Sequence, residues 1–392
     1  MKKITFLALH LGYGGIEKCI TTVANHLCSE YEVEIISTYQ LYEKPAFDLN
    51  PKIKVQYLIH DKPNRQEFFN FVRSFHFIKA FKEGIKGIQL LKQKKQKMCE
   101  AIQNSSSDII VSSRDIHNAW LGKYGKKNAI KIGWEHNYHN HNQKYIHKIV
   151  KSVQNLDYFV VVSKEQQEFY RKLVIPECVY IPNSLESYPQ KLSKLEDINI
   201  ISIGRLSKEK GFLDLIQVCS YVKKIFPELK LHLIGDGPER KKIELEIARS
   251  HLEDNVILHG FLNPSEMKPL FLQSSVYAMT SFTESFGIVL LEAASYGIPA
   301  VAFQNSGANE VIQNNWDGYI VEKRDCKIMA KRIVELLKNK NRRIIMGRNA
   351  YKKSLEYNID NVIEMWYQLL GRWWYGTYDW KYYSLDSRFC FK

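Results

Sequence analysis

VYAMTSFTESFGIVLLEAASYGIPAVAF, residues 276 to 303, reads as strand, loop, helix and strand in immediate succession. Its end runs, VYAMTS and PAVAF, are short, apolar and free of strict alternation, the pattern of strands covered on both faces. The helix between them is expected to begin near Ser285 and to stop at Gly297-Ile298-Pro299, since glycine and proline together end a helical period. Strand, helix and strand make a βαβ unit, and the strands of such a unit lie parallel.

The same alternation extends both ways along the chain. KITFLAL, VEIIS, IKVQYL, DIIVSS, KIGWEH and YFVVVS come first; INIISIG, LKLHLIG and NVILHG lie nearer, and GYIV follows. A seam falls at VYIPNSLESYPQKLSKLED, where Pro182, Pro189 and a polar run divide the two sets. A length of 392 residues exceeds one ordinary core. The expected architecture is α/β, with two doubly wound Rossmann-like domains at residues 1–185 and 186–370 facing across a cleft. In such sheets ligands sit beyond the carboxyl ends of the strands, so the cleft is the expected site. For the aromatic tail, residues 371–392, two readings stay open: packing on the first domain, or contact with a membrane interface.

A hydrophobic content of 45% with 25% charged residues describes a folded chain and excludes a disordered one. The seven cysteines include no C-x-x-C pair, so neither a zinc site nor a disulfide framework is indicated. Lys2-Lys3 before ITFLALHL could pass for a leader. The apolar run is short, contains His10 and enters GYGG, which reads better as a first buried strand. No run has the length of a transmembrane helix. A net charge of +14 calls for an acidic partner. Between Lys62 and Met98 stand ten basic residues against two acids, so this segment holds most of the excess. From residue 65 to 97, phenylalanines, isoleucines and lysines interleave, which fits an amphipathic helix or helix pair on anionic lipid. The alternative is a solvated basic face whose phenylalanines fill the first domain's core.

Three stretches carry chemistry. GYGGIEK, Gly12 to Lys18, follows a strand and opens a helical pattern; it is either a tight structural turn or a loop that brings backbone close to phosphate. IGRLSKEKGF places Arg205 and Lys210 at the carboxyl end of another strand, where a guanidinium fork and a point charge suit a diphosphate. Glu284 and Glu292 have seven residues between them, beginning with Ser285-Phe286-Gly287, whose N–H groups, free at a helix start, could meet phosphate oxygens. Glu292 then falls about 10 Å further along the axis, on the face of Ser285.

The order and identity of these pieces resemble glycosyltransferase family 4, of the bacterial capsule, exopolysaccharide and lipopolysaccharide type, which has the GT-B fold. Glu284 and Glu292 match its E-x7-E motif in an S-F-G-x-x-x-L-E-A setting, and Gly204-Arg205 with Lys210-Gly211 matches its G-R-x-x-x-x-K-G motif. LIGDGPER, VILHGFL, GYGGIEK and WEHN (Trp134 to Asn137) match further signatures, more strongly from about residue 200 to 322 than before it. The resemblance implies that Arg205 and Lys210 bind the donor diphosphate, with the N–H groups of Ser285, Phe286 and Gly287. It assigns Glu292 to the ribose, Glu284 to the donor sugar, Gly14 and Gly15 to the diphosphate from the other domain, and His136 to the reacting sugar.

It further implies a retaining hexosyl- or N-acetylhexosaminyltransferase. Such an enzyme would use a nucleoside-diphosphate sugar, UDP first, and a glycan or lipid-linked acceptor in surface polysaccharide synthesis. The expected place is cytoplasmic, peripheral on the inner face of the plasma membrane. No D-x-D occurs, so no metal or other cofactor is expected. A nucleotide-sugar epimerase or a phosphorylase of the same fold is the nearest rival. An NAD-dependent oxidoreductase is disfavoured: Glu17 stands where the dinucleotide fingerprint has its last glycine, and VEIIST lacks a ribose acid. No nucleic-acid recognition motif accounts for the charge.

Overall fold

The computed structural model describes residues 1–61 and 65–371. The first sheet contains β1 (Lys3–Ala8), β2 (Glu32–Tyr39), β3 (Lys54–Ile59), β4 (Ile109–Ser112), β5 (Ile130–Glu135), β6 (Tyr158–Val161) and β7 (Glu177–Tyr180). The second contains β8 (Asn199–Ile203), β9 (Lys230–Ile234), β10 (Val256–Gly260), β11 (Val276–Met279), β12 (Ala300–Phe303) and β13 (Gly318–Val321). Their orders are β3-β2-β1-β4-β5-β6-β7 and β10-β9-β8-β11-β12-β13. The pairings along both sheets are parallel. Every residue of β4 and of β12 is buried, as unalternating apolar runs require when helices cover both faces.

In each sheet the strand order reverses once near the middle, between β1 and β4 and between β8 and β11. Neighbouring connections leave in opposite directions there, which opens a crevice at the carboxyl ends. All three chemical stretches of the sequence emerge at these two crevices.

Two segments depart from the expected plan. VYIP was expected in the seam, yet ECVY is β7, paired with β6 from Tyr158↔Glu177 to Val161↔Tyr180. Pro182 stops the chain just after it, and an edge strand this short leaves little periodicity to read. The helix Ile359–Gly371, within the span expected for the second domain, instead packs on the first. Its apolar stripe buries Val362, Ile363, Trp366, Leu369 and Leu370. Trp366 meets Trp134 edge-on at 4.9 Å between ring centroids, and Tyr367 stacks on Tyr31. The expectation for the tail beyond Gly371 lies outside the described residues.

The basic segment forms a pair of helices, Arg65–Arg73 and Phe77–Asn104. Met98, Cys99 and Ile102 anchor the longer one to the first domain. Before that anchor Phe75, Phe77, Ile78 and Phe81 are 80%, 63%, 76% and 69% exposed. These phenylalanines therefore do not fill the core. Among the described residues, no helix is long and apolar enough to cross a membrane.

Candidate active site

At the second crevice, the loops after β8 and β11 are fused by backbone contacts that only glycine permits. Gly211 has φ +64, and a Cβ there would lie 2.3 Å from the Thr280 carbonyl oxygen. Gly235, just after β9, has φ +132, and its Cβ would meet the Gly204 oxygen at 1.9 Å, so the loop after β9 packs on the loop after β8 in the same way. The Phe282 N–H donates to Glu209 O, and the Thr280 hydroxyl to Lys210 O. So held, Lys210 Nζ lies 2.5 Å from Glu284 Oε1, and Ser281 Oγ donates to the same oxygen at 2.7 Å. Arg205 is exposed on the same loop and has no ion pair among the described residues.

The glutamate helix begins at Ile288, later than expected. Gly287 takes φ 81 and caps it, so Ser285 and Phe286 belong to the loop. Phe286 is buried against Tyr357. The expected shared face of Ser285 and Glu292 therefore does not exist; Glu292 lies four residues beyond Ile288, on that residue's face. The N–H groups of Ser285, Phe286, Gly287, Ile288 and Val289 donate to no partner among the described residues. The free N–H groups expected at this segment are present, shifted by the left-handed glycine.

At the first crevice, Gly14 is extended and precedes the helix Gly15–Leu27. A Cβ on Gly14 would lie 2.1 Å from Glu17 Oε2, because Glu17 folds back over the loop to pair with Arg114 at 2.9 Å. A Cβ on Gly15 would come 4.0 Å from Ile288 Cδ1. Two helix N-termini thus face each other across the cleft. One turn into each helix, Lys18 Nζ meets Glu292 Oε1 at 2.6 Å.

His136 follows β5, buried, with its ring 4.3 Å from that of Trp134 and its Nε2 unpartnered among the described residues. Burial, helped by the charge of Arg114, depresses its pKa to about 3, so the imidazole is neutral at physiological pH. Burial also raises neighbouring Glu135 to about 7, against a hydrogen bond from the Asn137 N–H. The structure thus brings Gly14, Gly15, Lys210, Glu284 and Glu292 around one cleft, while His136 feels the charge of Arg114, which pairs with Glu17. Among the described residues, no group of three or more His, Cys, Asp or Glu could hold a metal ion.

Residues 185–353, which include the whole second sheet, match the family model for glycosyl transferases group 1. The chain is a glycosyltransferase. It is 26% identical over 381 residues to an uncharacterized glycosyltransferase of Haemophilus influenzae, covering 94% of this chain and 100% of the relative. It is also 26% identical, over 95% of its length and 99% of the other's, to a Campylobacter jejuni enzyme. That relative is named GalNAc-alpha-(1->4)-GalNAc-alpha-(1->3)-diNAcBac-PP-undecaprenol alpha-1,4-N-acetyl-D-galactosaminyltransferase. A crystal structure of S. aureus TarM with fondaparinux, α-GlcNAc-glycerol and UDP superposes with a TM-score of 0.75 at 16% identity, covering 94% of this chain and 99% of that one. The glycosyltransferase accordingly has the GT-B architecture.

Several residues that shape this glycosyltransferase's cleft escape a reading by motif. Arg324 donates to Thr280 O and Ser281 O and lies 3.6 Å from the centre of the Phe282 ring, pinning the loop that carries Glu284. It sits far along the chain, and nothing local marks it. Glu310 accepts from the Tyr180 hydroxyl and the Lys164 N–H, tying the second domain to the first. Lys18 and Glu17 stand inside GYGGIEK but read as ordinary helix residues. Lys18 alone had a usable signal, since three residues after Gly15 places it over the helix start.

Proposed function

We propose that the chain transfers a hexose or N-acetylhexosamine from a nucleoside-diphosphate sugar, with UDP as carrier, to a glycan or lipid-linked acceptor with retention of configuration. The observation that carries this reading is the convergence of two helix N-termini, at Gly15 and Ile288, beside the Lys210–Glu284 pair. Oriented N–H groups and cations at that point suit a diphosphate, whose negative charge grows as it departs. Arg205 and Lys210 serve the diphosphate, together with the N–H groups of the 285–289 segment. Glu284 takes hydroxyls of the donor sugar, and Glu292 takes the ribose. His136, being neutral, offers Nε2 as a hydrogen-bonding atom to the sugar without adding charge. Attack from the face the phosphate leaves would let a phosphate oxygen take the acceptor's proton. Paired glutamates here are a binding device, since one of them serves the ribose, and the two-carboxylate scheme of glycoside hydrolysis does not apply.

The test is a panel of nucleotide sugars incubated with and without glycan acceptors. Acceptor-dependent release of nucleoside diphosphate is the expected result. Conversion of donor without acceptor would favour an epimerase, and dependence on free phosphate a phosphorylase.

The acceptor side of the proposal draws on the helix pair at 65–104. Its exposed Phe75, Phe77, Ile78 and Phe81 stand among Lys79, Lys82 and Lys92, so apolar rings and ammonium groups share one surface. A cytoplasmic enzyme resting on the anionic inner face of the plasma membrane would meet a lipid-linked acceptor there. Sedimentation with vesicles containing phosphatidylglycerol should carry the protein down. Replacing Phe77, Ile78 and Phe81 with serine should leave it in the supernatant; equal sedimentation by both proteins would remove the membrane from the proposal.

A further inference from the structure

Lys18 is the side chain that the donor-site reading leaves without a task. It belongs to the first domain, yet its ammonium rests on Glu292 of the second, 2.6 Å away, with side chains 33% and 19% exposed. Glu292 is the carboxylate proposed for the ribose. In this arrangement Oε1, one of the two acceptor atoms that a ribose diol would need, is held by an ammonium. A ribose that takes both carboxylate oxygens would displace Lys18.

Where the displaced charge goes follows from helix geometry. Side chains on a helix lean toward its N-terminus, and Lys18 stands three residues after Gly15, the first residue of its helix. One helical turn rises about 5.4 Å, within the reach of a lysine stem. Swinging back by that distance brings Nζ to the helix start, where Gly15 faces Ile288. The N–H groups of Gly15, Ile16 and Glu17 have no acceptor among the described residues, so the position is already electropositive. Paired with Glu292, Lys18 keeps its proton. Burial alone would lower its pKa, but the Glu292 carboxylate outweighs burial and raises it.

We propose that Lys18 is a donor-binding residue that exchanges partners, leaving Glu292 for the diphosphate as the ribose arrives. The exchange gives the diphosphate a cation from the first domain, facing Lys210 of the second. It also links nucleotide capture to the contact between domains, because the pair being broken is an interdomain one. This rests on the donor-site reading above.

The exchange predicts effects of opposite sign for two ligands. Calorimetric titration of wild type, Lys18→Met and Lys18→Arg would use whichever of UDP and GDP the wild type binds, and the matching nucleoside. The methionine variant frees Glu292, so the nucleoside should bind several-fold more tightly. It also removes a charge-assisted contact to phosphate, so the nucleoside diphosphate should bind about tenfold more weakly. Arginine should restore most of the diphosphate affinity, which a loss of folding would not allow. Tighter binding of both ligands to Lys18→Met would show a mere latch over the site and overturn the proposal, as would unchanged binding of both. Failure of the wild type to bind either nucleoside diphosphate would instead overturn the donor site, and the role of Lys18 with it.

Discussion

Lys210→Met will lower the transfer rate at saturating donor by about two to three orders of magnitude, the usual loss when one preorganised charge partner of a departing oxyanion is removed. Lys210 is fixed on its loop by the Gly211 turn, by Thr280 and by Glu284, so its ammonium needs no reorganisation as charge develops. Methionine keeps the stem and removes the charge. The loss should fall on turnover more than on donor KM, because the phosphate charge grows toward the transition state. Stability should change little: the pair is partly solvated, with side chains 23% and 14% exposed, and pairs of that kind contribute up to about 1 kcal/mol. Steady-state rates and a thermal unfolding midpoint measured on the same variant check both halves. Full turnover by the folded variant would remove Lys210 from the diphosphate.

Trp366→Ala will cost about 3–5 kcal/mol of stability, the range for deleting a fully buried large aromatic. Trp366 is fully buried and meets Trp134 edge-on, and Trp134 in turn touches His136. The truncation therefore opens a cavity behind a proposed site residue, and activity should fall before the fold is lost. Trp366→Phe should be far milder, because among the described residues neither indole N–H of the pair has a hydrogen-bond partner and phenylalanine leaves none behind. Urea unfolding midpoints for the two variants, read with activity at low urea, separate these effects. Equal midpoints for wild type and alanine variant would show that the Ile359–Gly371 helix does not hold the first domain.

Much of the second crevice was legible because its residues are close in sequence and flanked by unambiguous strands. Lys210 and Glu284 sit directly after β8 and β11, and a reversal of strand order is what brings two such loops together. The start of the glutamate helix was misplaced because Gly287 reaches a left-handed φ that composition cannot reveal. Two kinds of feature were not legible. Contacts that cross the cleft, such as Lys18 with Glu292, join residues 274 apart, and no local period encodes them. The return of the last described helix to the first domain was missed for a related reason. Its apolar stripe states that a face is buried but not against which core.

Where a nucleoside diphosphate binds tests the proposed donor site most directly. A crystal structure with UDP is expected to show its phosphates between Gly15 and Ile288, close to Lys210. The ribose hydroxyls should lie on Glu292, and Lys18 should have moved off that carboxylate. Phosphates lodged elsewhere, with Lys18 still paired to Glu292, would contradict it.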